Sequence, residues 1–127
     1  MRYWTFDVVQ LIADYDKNRR TLQSIRETRK LGEKYRKNPI GATTRGDWDQ
    51  YLEVLELRET EYQLYVDMVT NGLGDLPEVE RLVLKYWLID HVDDTVIIDL
   101  CGIKNLSELT KIKKMALVEF TNLVMPN

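Results

Sequence analysis

The chain has 127 residues, of which 44% are hydrophobic and 31% charged, with a formal net charge of −3. That length suits one compact domain, or a small domain with a helical extension, and the composition excludes a disordered chain. No apolar run approaches the roughly 18 residues of a membrane span, and the acids within MRYWTFDVVQLIADYD are not those of a secretory signal.

The first segment runs from about Thr5 to Lys37. Val8, Leu11, Tyr15, Asn18, Leu22, Ile25, Arg29 and Gly32 follow a three-four spacing, which predicts one stripe of a helix. Asn18, Arg29 and Gly32 weaken that stripe toward its end. The same stretch is strongly basic, and Arg19, Arg26, Arg29, Lys30 and Lys34 are its candidate contacts to a nucleic-acid backbone. A solvated helix face is the ordinary alternative for such charges. Asn38, Pro39 and Gly41 break the helix. Thr44 with Asp47, or Asp47 with Gln50, has the form of a helix cap.

The second segment is predicted over about Asp47 to Thr70, with Trp48, Leu52, Leu55, Tyr62, Val66 and Val69 on its stripe and Glu59 interrupting it. Its outer positions Glu53, Glu56, Glu61 and Asp67 are acidic. An antiparallel helical hairpin that sets the basic segment against the acidic one is the simplest arrangement. Asn71-Gly72-Leu73-Gly74 is the expected break, which divides the chain into residues 1–72 and 73–127.

Asp75-Leu76-Pro77-Glu78 has the form of a capping box opening a third helix to about Ile89, with Val79, Leu82, Val83, Tyr86 and Trp87 as its apolar face. Asp93 or Asp94 caps a short fourth helix, Thr95 to Cys101, which Gly102 stops. Asn105 with Glu108 forms another capping box, opening a fifth helix to about Val124. At 100° per residue, Leu106, Leu109, Ile112, Ala116, Phe120 and Leu123 share one side of that helix. Ser107, Thr110, Lys111, Lys114 and Val118 share the other. A helix lying in a DNA major groove needs such a face: small hydrogen-bonding groups with cations beyond them. Lys104 and the N–H groups that follow Asn105 are placed to hold a phosphate. A solvated polar face is again the ordinary alternative.

Leu76 to Val124 resembles the C-terminal helix-turn-helix of phage late-gene transcription regulators of the RinA/ArpU type, itself similar to region four of primary sigma factors. The resemblance rests on Glu80-Arg81, Tyr86-Trp87, Ile97 and Leu100, Gly102-Ile103, and Ile112-Lys113-Lys114 with Phe120. The stretch from Gly102 to Ser107 is one residue longer than the sigma-like pattern, and Glu108 stands where an apolar or neutral residue is usual. The resemblance implies an all-α protein with an N-terminal helical hairpin and a C-terminal helix-turn-helix unit of three helices. It implies a DNA-binding regulator in the cytoplasm of a bacterial host, encoded by a phage or prophage. Lys104, Asn105, Ser107, Thr110, Lys111 and Lys114 would then contact double-stranded DNA. The hairpin would form a homodimer or contact RNA polymerase.

Charge pulls the other way. Residues 1–46 carry 11 Lys/Arg against 5 Asp/Glu, whereas residues 73–127 carry 6 against 9. An acidic module that docks onto a basic protein, such as a nucleic-acid mimic acting on a nuclease or polymerase, is the competing expectation. A helical structural or packaging component is a third. The one cysteine, Cys101, excludes an intrachain disulfide and fits a reducing compartment. His91 stands alone, so no Cys/His zinc cluster is expected. No glycine-rich phosphate loop or matched nucleophile and base is present, and no catalysis or cofactor is expected.

Overall fold

The computed structural model describes residues 3–125, with side chains for residues 8–125. Every regular element among them is helical: α1 (Tyr3–Ala13), α2 (Tyr15–Lys37), α3 (Arg45–Gly74), α4 (Glu78–Leu84), a π-helical turn (Lys85–Ile89), α5 (Asp94–Cys101) and α6 (Leu106–Val124). None is long and apolar enough to cross a membrane. The expected single helix over Thr5–Lys37 is thus two, interrupted at Asp14. That residue's carboxylate accepts from the Gln10 side chain at 2.8 Å.

Packing divides the chain into two compact units, residues 17–66 and residues 1–16 with 67–127. The position 72/73, expected as the division of the chain, lies within α3, which runs to Gly74.

In the 17–66 unit the two expected stripes are the buried ones. Leu22, Ile25, Gly32 and Leu55 are buried, while Trp48, Leu52, Tyr62 and Val66 are half-buried. Gly32 sits where α2 and α3 approach closely, because a Cβ there would lie 2.8 Å from Leu52 Cδ2. Two of the residues that interrupt the stripes, Arg29 and Glu59, find each other. Glu59 accepts from Arg26 Nε at 3.0 Å and also from Arg29, while Arg36 pairs with Asp49. Of the two candidate caps, Thr44 with Asp47 forms. The Asp47 carboxylate accepts from Thr44 N–H at 2.9 Å, and Thr44 Oγ1 accepts from Asp47 N–H at 3.2 Å.

In the other unit, α6 packs against α4, α5 and α1, and α1 also packs against the π-helical turn. Val8, Leu11 and Ile12 of α1 are buried, as are Val83, Leu84, Leu88, Ile97, Leu109, Ala116 and Phe120. Asn71-Gly72-Leu73-Gly74 is not a break. α3 continues through Gly74, and Gly72 is buried because a Cβ there would lie 2.5 Å from Phe120 Cε2 and 2.7 Å from Val124 Cγ1. Its missing side chain makes room for α6. The expected capping box at Asp75–Glu78 does not form either. α4 starts after Pro77 with no side-chain cap, and α5 starts after Asp93 with none. The two later signals hold: Gly102 is left-handed at φ 66°, and Asn105 Oδ1 accepts from Glu108 N–H at 2.9 Å.

Three residues expected in the core are exposed, namely Val79, Leu106 and Leu123. Glu80, Leu84 and Leu88 are buried instead. α4 has neighbours on more than one side, so the buried face is rotated from the one that hydrophobicity alone selects.

Candidate nucleic-acid interface

α6 is held from below by Leu109, Ala116 and Phe120, each at most 1% exposed. Leu109 joins Val83, Ile97 and Ile103 in a small core, with Tyr86, Trp87 and Ile112 packed around it. Ile103 follows the left-handed Gly102 directly, and its N–H donates to Ile98 O at 3.0 Å. The turn between α5 and α6 is therefore fixed at both ends: a glycine that tolerates positive φ and a buried isoleucine.

That anchoring sets the outward face. Ser107, Thr110, Lys111, Lys114 and Val118 are all exposed along α6, and Lys104 and Asn105 are exposed at its start. These residues come together on one helix, as the periodicity predicts. Two are partly engaged. Thr110 Oγ1 donates to Leu106 O at 3.0 Å, and Asn105 Oδ1 caps the helix, so only the Asn105 amide N–H groups stay available. Lys104, Lys111 and Lys114 have no ion-pair partner among the described residues. Lys113 points elsewhere: its Nζ donates to Asp94 Oδ1 at 2.8 Å and sits 4.5 Å from the centroid of the Trp87 ring. It ties α6 to α5 and the π-helical turn. Periodicity did not select Leu106 and Met115 for the outer side, yet they are 53% and 55% exposed and stand beside the polar face. Apolar side chains there suit thymine methyl groups or a protein surface equally.

The candidate phosphate contacts on α2 fare differently. Arg26 and Arg29 close on Glu59, with Arg26 also reaching Gln63. The pairing holds the Glu59 carboxyl below the usual carboxylate range, chiefly through its hydrogen bond from Arg26. One carboxylate serves both guanidiniums within the unit, a role that the sequence signalled by placing Glu59 in an otherwise apolar stripe. Lys30 and Lys34 are exposed, with no ion-pair partner among the described residues. Arg19 is exposed but not free of contacts.

One buried charge was not foreseen. Glu80 on α4 is 8% exposed, its Oε2 has no hydrogen-bond partner, and its carboxyl lies against Glu119 of α6. Burial first, and the Glu119 carboxyl second, push the Glu80 pKa up to about 7. His91 is exposed and left-handed at φ 55°, at the end of the π-helical turn, where Val92 N–H closes on Tyr86 O at 2.8 Å. Among the described residues, no three His, Cys, Asp or Glu side chains gather as a metal site. Burial raises the Cys101 thiol above its ordinary pKa, which disfavours the reactive thiolate.

Comparison with protein-family models, with curated proteins and with solved structures finds no match to this chain.

Proposed function

We propose that this chain is a transcriptional regulator that binds double-stranded DNA through α6, with α4, α5 and α6 acting as a helix-turn-helix unit. In this reading α2 and the first part of α3 form the helical hairpin, which dimerises or meets RNA polymerase. The protein is of the phage or prophage regulator type and works in the bacterial cytoplasm. The observation that carries the reading is the exposed row Ser107, Thr110, Lys111 and Lys114 on a helix whose opposite side is locked by Leu109, Ala116 and Phe120. Ser107 and Thr110 would meet base edges. Lys111 and Lys114 would meet phosphates or guanine, and Lys104 with the first α6 N–H groups would hold a phosphate. The test is a mobility-shift assay on DNA upstream of the gene's own operon. Lys111→Glu with Lys114→Glu should abolish the specific shift while the helical content stays unchanged; a shift that survives removes α6 as the DNA-contacting helix.

A second reading draws on charge. Residues 73–127 hold 6 Lys/Arg against 9 Asp/Glu, whereas tight DNA binders are usually basic. In that reading the unit docks onto a basic protein surface, as an inhibitor that mimics nucleic acid would. Salt-sensitive binding to a purified nuclease or polymerase, with no DNA shift at any salt concentration, would favour it.

A further inference from the structure

α3 turns one face toward α2 and leaves the opposite face bare. On the bare side Val54, Leu57 and Leu64 are 53%, 68% and 53% exposed. These three exposed apolar side chains lie together on one face of a surface helix rather than singly. Their spacing is that of a heptad seam: Gln50, Leu57 and Leu64 fall seven apart, with Val54 and Glu61 between them. The helix is unbroken from Arg45 to Gly74.

The flanks decide the occupant. With Leu57 and Leu64 at one core position and Val54 at the other, Glu53 and Arg58 border the seam on opposite sides, five residues apart. In a parallel two-stranded coiled coil that is the offset at which an acid on one helix meets a base on its partner. Two-fold symmetry forms the pair twice. Neither side chain has an ion-pair partner within the described chain; Arg58 only lies 5.9 Å from the Tyr62 ring centroid. An antiparallel pair would instead set the Glu53 flank against its own copy and Arg58 against Arg58.

We infer that the Val54–Leu57–Leu64 face of α3 is a parallel, in-register coiled-coil seam that takes a second copy of this chain, with Glu53 and Arg58 pairing across it. This deepens the dimer part of the proposed function and rests on it, but not on DNA binding. Glu61, held by Tyr65 OH at 2.6 Å, lies on the seam and faces its own copy. The like charge keeps the dimer weak and reversible.

Sedimentation equilibrium of the full chain tests the seam. The wild type should show a monomer–dimer equilibrium that Leu57→Lys shifts to monomer with circular dichroism unchanged. Arg58→Glu and Glu53→Arg should each weaken the dimer roughly tenfold, and the double variant should restore it, because the pair is only reversed. Glu61→Leu should tighten the dimer roughly tenfold by removing a like-charge contact and adding apolar surface. In a Cys101→Ser background, Leu57→Cys should cross-link to itself on mild oxidation. A wild type that stays monomeric at every concentration overturns the inference. So does a double charge variant as weak as the single ones, or a Leu57→Cys chain that does not cross-link. The DNA shift of the same variants is a separate readout. A monomer that still shifts DNA sinks the seam alone, and a dimer with no shift sinks the DNA reading alone.

Discussion

Replacing Glu80 with glutamine should stabilise this protein at neutral and alkaline pH while leaving it nearly unchanged in mild acid. Glu80 is buried against Glu119, and its pKa is raised from 4.5 to about 7. A carboxyl whose folded pKa lies above its unfolded one binds its proton more tightly when folded. Its contribution is therefore fully present below the unfolded pKa and is lost as pH rises through the folded value. The window is thus pH 4.5 to about 7, and across it the pair withdraws up to about 3 kcal/mol. The substituted amide cannot ionise, and its N–H can donate to Glu119 at every pH. Urea unfolding followed by far-ultraviolet circular dichroism should show the two proteins within about 1 kcal/mol near pH 4.5 and about 2–3 kcal/mol apart by about pH 8. The melting temperature of the variant at the alkaline end should be higher by roughly 5–10 °C. A stability difference that stays constant across the window would show that Glu80 reaches water on ionising, and would refute the reasoning.

Other expectations follow from single contacts. Gly72→Ala should destabilise by about 1–3 kcal/mol in thermal unfolding, because its Cβ would meet the fully buried Phe120 ring at 2.5 Å. Gly32→Ala should be close to neutral, because the Cβ there meets the movable end of Leu52 and the helix gains an alanine. Glu59→Gln should cost about 1–2 kcal/mol at neutral pH by leaving Arg26 and Arg29 with only a neutral amide. Since the Glu59 pKa is lowered on folding, that difference should vanish as pH falls below the usual carboxylate range, seen in paired acid titrations. His91→Gly should stabilise by about 0.5–1 kcal/mol, read from the melting temperature at fixed pH, because the left-handed backbone at φ 55° suits glycine better.

Where elements lie was largely legible, because helical periodicity and caps are local. The stripes of α2 and α3, the Gly102 stop and the Asn105 cap all stand as the sequence suggests. What each face meets was not legible. α1 carries Val8 and Leu11 in phase with α2, so it reads as the same helix, yet it buries them beside α6 and the π-helical turn. Gly72 illustrates the ambiguity of its residue type: a glycine between apolar runs signals either a turn or a close helix contact, and sequence cannot separate them. The rotated face of α4 has the same origin. Neighbours on several sides bury Glu80 along with Leu84 and leave Val79 exposed. The candidate face on α6 was the easier part, since one-sided anchoring by Leu109, Ala116 and Phe120 makes the opposite side the exposed one.

Net charge is a poor guide to the field that a partner meets, and the acids of residues 73–127 show why. Asp94 pairs with Lys113 and Asp90 with Lys85, each at 2.7–2.8 Å. Glu80 is buried against Glu119. Two of these acids are neutralised by lysines and two face each other inside the unit, and none belongs to the outward row of α6. The face itself presents Lys104, Lys111 and Lys114 against Glu108. Three lysines reaching phosphates would give a slope of only about −3 in log K against log salt, too shallow for tight binding by one copy. Two copies joined through α3 would roughly double the phosphate contacts and the slope. If α6 contacts DNA as proposed, its sparse cations would make a dimer joined through α3 the form that binds tightly.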